Sequence, residues 1–166
     1  MELDNIIEKY LINNPDKIKI SSIDLKKNDV FISLQGFNYH GNKFINSAFK
    51  AGAKYCVTDK KHNSKKYNKK ILLVSNIDKY LENLAIKKRL IYKGLVIGIT
   101  GSAGKTSLKE NLKFFLNKSY KVSASIKSYN NNLGVKISII NMNLKSDFAI
   151  FEIGTNDFFE IRDLTK

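Results

Sequence analysis

The sequence predicts an α/β fold with parallel sheets, organised as two units over residues 1–92 and 93–166. Short β-branched and aromatic runs alternate with amphipathic helical patterns along the chain, the order that builds parallel sheets flanked by helices. The apolar run at 95–99 leads straight into a glycine-rich turn, residues 100–106 reading T-G-S-A-G-K-T, and then into a helical pattern. A second apolar run, at 148–151, ends on the carboxylate of Glu152.

Each element of the first unit has a local cause. Residues 2–12 place Leu3, Ile6, Ile7, Tyr10 and Leu11 on one helical face, and Pro15 ends the pattern. Strand-like runs follow at 18–20 and 30–34. Asn42 is placed to cap a helix over 43–51, with Gly52 as its stop. Residues 55–57 and 71–74 read as further short strands. A longer helix over 77–92 carries Ile77, Leu81, Leu84 and Ile91 as its apolar stripe. The pattern changes at 89–94, which sets the boundary between units without a Pro/Gly linker.

The second unit opens with an apolar strand at 95–99, expected to be buried. The helix after the turn repeats Leu108, Leu112, Phe115 and Leu116 at i, i+4, i+7 and i+8, an apolar face. A strand is expected at 120–124 and a helix at 132–142, with Leu133, Ile137 and Ile140 inward. The strand at 148–151 precedes Glu152, and a helical turn is expected at 158–164.

Composition narrows the function classes. The 166 residues are 43% hydrophobic and 27% charged, ordinary for a globular protein. No stretch has the apolar length of a membrane span, and the first residues lack the basic-then-apolar layout of a signal peptide. Cys56 is the single cysteine, which excludes an internal disulfide and points to a reducing, cytoplasmic setting. The net charge of +14 invites a nucleic-acid reading, but the lysines are scattered and the only arginines are Arg89 and Arg162. Arginine is the residue that clamps phosphate and reads bases in bidentate fashion, so a nucleic-acid partner is disfavoured. The densest run, 60–70, reads as a solvated loop.

The glycine-rich turn suits a nucleotide triphosphate. Glycines let the backbone wrap phosphate oxygens, and the following helix points free N–H groups and its positive dipole end at the anion. Gly101, Ser102, Ala103, Gly104, Lys105, Thr106 and Ser107 form this candidate cofactor site. Lys105 is placed to reach the terminal phosphates and Thr106 to ligate Mg²⁺. The general pattern G-x-x-x-x-G-K-[ST] would put its first glycine at position 99, where Ile99 stands; the nearby glycines are Gly98 and Gly101. Ligands of open α/β sheets sit beyond the carboxyl ends of strands. If the strands at 95–99 and 148–151 are neighbours, Glu152 faces the phosphate site and offers a hard oxygen to Mg²⁺. Asn130 and Asn131 lie in an asparagine cluster that can cap a helix or hydrogen-bond a substrate.

Three segments together resemble the Mur ligase family: T-G-S-A-G-K-T at 100–106, N-N-N-L-G-V at 130–135 and E-I-G-T-N at 152–156. In the first half, D-V-F-I-S-L-Q-G at 29–36 with Phe44, Ala48 and A-G-A at 51–53 is similar to the same family, so the resemblance spans nearly the whole chain. Within the family the likeness is greatest to the branch that adds D-alanyl-D-alanine. The resemblance implies a small N-terminal α/β domain at 1–92 that holds the UDP part of a muramoyl precursor. It implies that 93–166 is the first part of a P-loop parallel-sheet ATPase domain. It also implies ATP and Mg²⁺ as cofactors, Lys105 and Glu152 as catalytic residues, Thr106 and Glu152 on the metal, and Asn130 and Asn131 toward substrate. A UDP-muramoyl peptide and D-Ala-D-Ala would be the substrates in peptidoglycan precursor synthesis, the reaction passing through an acyl phosphate. Family members run longer, so this chain is expected not to catalyse ligation alone: it is a fragment of a longer enzyme, a split subunit completed by a partner chain, or a degenerate remnant. Two other readings compete: a different P-loop enzyme such as a small kinase, which needs a basic lid, and a non-catalytic binding module that uses the lysines.

Overall fold

The structure, a computed structural model, describes residues 2–126 and 129–154. The turn expected at 158–164 lies outside them. Two compact units, Met1–Leu81 and Glu82–Lys166, divide the chain inside one helix.

The first unit opens with α1 (Leu3–Asn13), which buries Ile7 and Leu11 of the expected face. Then come β1 (Ile18–Lys19), β2 (Val30–Ser33), a 3₁₀ turn (Gly41–Phe44), α2 (Ile45–Lys50), β3 (Tyr55–Thr58), β4 (Ile71–Leu73) and the start of α3 (Ile77–Ile91). The four strands form one parallel sheet in the order β1-β2-β3-β4. All four residues of β2 are buried, the pattern of a strand covered on both faces. Phe31, Ile45, Ala48, Phe49 and Cys56 pack as a core. Tyr67, from the lysine-rich loop, stacks on Phe49 with ring centroids 4.2 Å apart, while most of that loop is exposed as expected. Burial pushes the Cys56 thiol up to about 12, so this cysteine stays protonated and inert at neutral pH.

The expected helix over 43–51 is shorter and differently capped. Its first turn is 3₁₀, and the capping side chain is His40, whose Nδ1 accepts from the Asn42 N–H at 3.0 Å. The Asn42 amide instead donates to the Lys61 carbonyl at 3.1 Å. The expected stop is present: Gly52 has φ +102°, and a Cβ there would lie 3.2 Å from the Lys27 Cα.

The second unit continues with β5 (Leu95–Ile99), α4 (Lys105–Leu116), β6 (Val122–Ala124), α5 (Asn132–Asn141) and β7 (Phe148–Glu152). Its parallel sheet has the order β5-β7-β6, so β7 lies between the two strands that precede it in sequence. Ile137, Ile140, Ala149, Ile150 and Phe151 are buried here.

Three expectations for this unit change. The strand at 95–99 is not buried throughout: Leu95 is 58% exposed and only Ile99 is buried, and β5 is an edge strand among the described residues. The strand expected at 120–124 is regular only from Val122, and Tyr120 is exposed. The apolar face expected for α4 holds at Leu112 and Leu116 but not at Leu108 and Phe115. Leu108 and Phe115 are 51% and 62% exposed, whereas Lys109 is fully buried and Leu112, Lys113 and Leu116 are half-buried. The helix therefore turns the stripe 105, 109, 112, 113, 116 toward β6 and β7, with a lysine at its centre.

Candidate functional site

The site is assembled by strand register. β5 and β7 pair with Ile99 opposite Glu152, so the loop after β5 and the last residue of β7 emerge side by side at the carboxyl edge of the sheet. This is the adjacency on which the sequence expectation for Glu152 depended. Backbone bonds lock the edge: Ile153 N–H donates to the Ile99 carbonyl at 2.8 Å, and Gly154 N–H to the Asn130 carbonyl at 2.6 Å. Glu152 N–H donates to the Ser125 hydroxyl at 3.1 Å, tying in the segment after β6.

The loop then turns through two glycines with positive φ, Gly101 at 147° and Gly104 at 76°, values that L side chains rarely adopt. Gly104 caps α4 without any side-chain hydrogen bond, leaving the first N–H groups of the helix for a ligand. A shallow cleft of about 280 Å³ is lined by residues 102–107 together with Asn130 and Glu152. Lys105 folds back, its ammonium donating to the Gly101 carbonyl.

Glu152 is the centre of the polar network. Its residue is 4% exposed. Thr106 Oγ1 donates to Oε2 at 2.9 Å, and Asn130 Nδ2 donates to Oε1 at 3.1 Å. Lys109 Nζ lies 3.6 Å from Oε2, an ion pair too long to be a hydrogen bond. Burial pushes the Glu152 carboxyl up, but the Thr106 and Asn130 hydrogen bonds and the Lys109 charge outweigh it, so the group sits below the ordinary glutamate range. The cleft thus presents an ionised carboxylate beside a hydroxyl. No cluster of three or more His, Cys, Asp or Glu exists among the described residues. A cation here would rest on Thr106 and Glu152 plus ligand oxygens and water. That donor set fits Mg²⁺, which takes one or two carboxylates and completes its shell with phosphate and water.

Asn131 is not brought into the cleft. Its side chain caps α5, accepting from the Gly134 N–H at 2.8 Å, so of the two asparagines only Asn130 reaches Glu152. In the first unit a separate polar group gathers at the ends of β2 and β3. His40 Nε2 lies 2.7 Å from Asp59 Oδ1, and the buried Ser33 hydroxyl donates to Thr58 Oγ1 at 3.4 Å.

The comparisons with known proteins agree on one family. The profile described as Mur ligase middle domain matches residues 99–166. The UDP-N-acetylmuramoyl-tripeptide–D-alanyl-D-alanine ligase of Rickettsia prowazekii is 39% identical over 153 residues, covering 92% of this chain and 34% of that protein. The chain belongs to the Mur ligase family. The Bacillus subtilis ligase of the same name is 31% identical, covering 86% of this Mur ligase chain and 31% of the relative. Among solved structures, the MurF ligase of Thermotoga maritima in complex with ADP matches with TM-score 0.72 and 28% identity. The match covers 93% of this chain and 35% of that one. The Mur ligase chain spans about one third of the length of the curated relatives it matches. No helix among its described residues is long and apolar enough to cross a membrane.

One residue escaped the sequence reading of this Mur ligase site. Lys109 is one lysine in a lysine-rich chain, and nothing in its residue type sets it apart. The available signal was its spacing, four residues after Lys105 and so on the same helical face.

Proposed function

We propose that this chain carries the phosphate-binding part of an ATP-dependent ligase of peptidoglycan precursor synthesis that joins D-Ala-D-Ala to a UDP-muramoyl peptide. Residues 1–92 are the precursor-binding unit and 93–166 belong to the ATP-binding unit. The observation that carries the reading is the Thr106–Glu152–Asn130 network at the mouth of a glycine-turned loop. The relatives' names supply the substrates, and the ADP-bound neighbour supports the nucleotide.

In this reaction a substrate carboxylate oxygen attacks the γ-phosphorus of ATP and ADP leaves. The amine then attacks the acyl phosphate, loses a proton, and inorganic phosphate departs as the amide forms. Phosphoryl transfer needs positioning and charge stabilisation above all. The loop N–H groups and the start of α4 hold phosphate oxygens. Lys105 leaves the Gly101 carbonyl and neutralises the transferring phosphoryl group. Thr106 and Glu152 would hold Mg²⁺, which when bound supplies electrostatic stabilisation of the phosphate oxygens. Asn130 keeps the carboxylate in place. The cytoplasm, with its ATP and reduced thiols, is the setting.

Isothermal titration with Mg-ADP and Mg-ATP checks this. The 166-residue chain is expected to bind both, and Lys105→Ala to weaken binding at least tenfold. Absence of binding, or a Lys105→Ala protein indistinguishable from the parent, would remove the reading.

A further inference from the structure

Lys109 is a fully buried lysine, 0% exposed, whose ammonium has no hydrogen-bond partner within 3.5 Å. Its Nζ lies 3.6 Å from Glu110 Oε1 and 3.6 Å from Glu152 Oε2. The two acids differ in environment: the Glu110 side chain is 49% exposed and water screens it, whereas that of Glu152 is 5% exposed. A buried ammonium without hydrogen bonds is costly unless a buried opposite charge compensates it. Glu152 is that charge, and the pair is neutral as a unit. Thr106 and Lys109 meet the same oxygen, Oε2, so a cation shared by Thr106 and Glu152 would sit close to the Lys109 charge. A bare divalent ion approaching a neutral carboxylate–ammonium pair gains little and is repelled by the ammonium. A triphosphate brings the negative charge that the pair lacks.

We propose that Lys109 is a positioning residue of the phosphate site: its buried ammonium holds the Glu152 carboxylate beside Thr106 and cancels its charge, so that a divalent cation binds there only together with a triphosphate. This rests on the phosphate-site reading above. It adds a condition on the order of binding, namely that the metal arrives with the nucleotide.

Mn²⁺, titrated by the paramagnetic resonance signal of the free ion, tests it on the full 166-residue chain with and without ATP. The parent is expected to bind Mn²⁺ alone only weakly and to bind it well beside ATP. Lys109→Met is expected to bind Mn²⁺ alone at least tenfold more tightly than the parent, so that the enhancement by ATP shrinks. Lys109→Arg should return the parent's behaviour, and adding Glu152→Gln to Lys109→Met should abolish the gain. Thermal melts give a second measurement that stands even if Lys109→Met folds poorly. Glu152→Gln alone should lower Tm by stranding the ammonium, and Lys109→Met added to it should restore part of the loss. Unchanged or weaker Mn²⁺ binding in a folded Lys109→Met protein, or strictly additive Tm losses, would overturn the proposal. A parent that does not bind ATP would remove the reading under Proposed function, while the Mn²⁺-alone comparison still decides the role of Lys109.

Discussion

Glu152 remains an anion where burial alone would favour the neutral acid. Two neutral donors and one ammonium achieve this, from Thr106, Asn130 and Lys109. The linkage has a definite sign. A carboxyl whose folded pKa lies below its unfolded value of 4.5 contributes stability that is present above that value and lost as pH falls through the folded pKa. The urea midpoint of the parent should therefore fall as pH drops below about 4.5. Glu152→Gln should be less stable at pH 7 and show a flatter acid limb; parallel limbs in the two proteins would contradict it. Thr106 and Glu152 were legible as single residues because their chemistry stands out at strand and loop ends. Lys109 was not, since lysine is ordinarily a surface residue and periodicity reads only apolar repeats.

At the scale of elements, the two neighbouring asparagines have separate duties. Asn131 caps α5, so Asn131→Ala should cost about 1 kcal/mol of stability, typical of a lost cap, and leave nucleotide affinity within twofold of the parent. Asn130 reaches Glu152 only because position 154 has no side chain: a Cβ on Gly154 would lie 2.9 Å from Asn130 Cγ. Gly154→Ala should therefore lower affinity for Mg-ATP severalfold by pushing the amide off the carboxylate. Calorimetric titration beside chemical denaturation separates the two effects, and equal profiles for the two variants would refute the division. The cluster's position was readable from sequence. The division of labour was not, because capping and ligand binding draw on the same amide chemistry. The type and order of most elements were likewise readable from alternation and glycine stops. The face of α4 was half legible: Leu112 and Leu116 of the apolar repeat turn toward the sheet, while Leu108 and Phe115 are exposed and Lys105, Lys109 and Lys113 complete the inward stripe.

For the whole molecule, the +14 charge is the largest property that the site does not use. The cations are nearly all lysines, spread over both units, and the lysine-rich loop at 60–70 is mostly exposed. A diffuse charge of this kind attracts polyanions without a fixed geometry. Oligonucleotide binding should accordingly be weak, indifferent to base sequence and lost between about 50 and 200 mM salt, where counterion release no longer drives it. Filter binding across that range, with ATP as competitor, checks this. Retention at the upper salt limit, or displacement by ATP, would mean a shaped nucleic-acid site. Parallel pairing was readable from the alternation of strand and helix patterns. The exposure of β5 was not, since an apolar run of five residues does not say which of its faces are covered.

The pairing of Ile99 with Glu152 gives β7 an unequal tolerance to heredity. Successive strand residues point to opposite faces, so loss or gain of one codon within 148–151 would present Glu152 to the wrong side of the sheet even if every apolar contact were remade. Substitutions among Phe, Ile, Ala and Val can drift there as far as packing permits. Insertions and deletions cannot, and lineages that keep the chemistry should vary in the spelling of this strand while conserving its length.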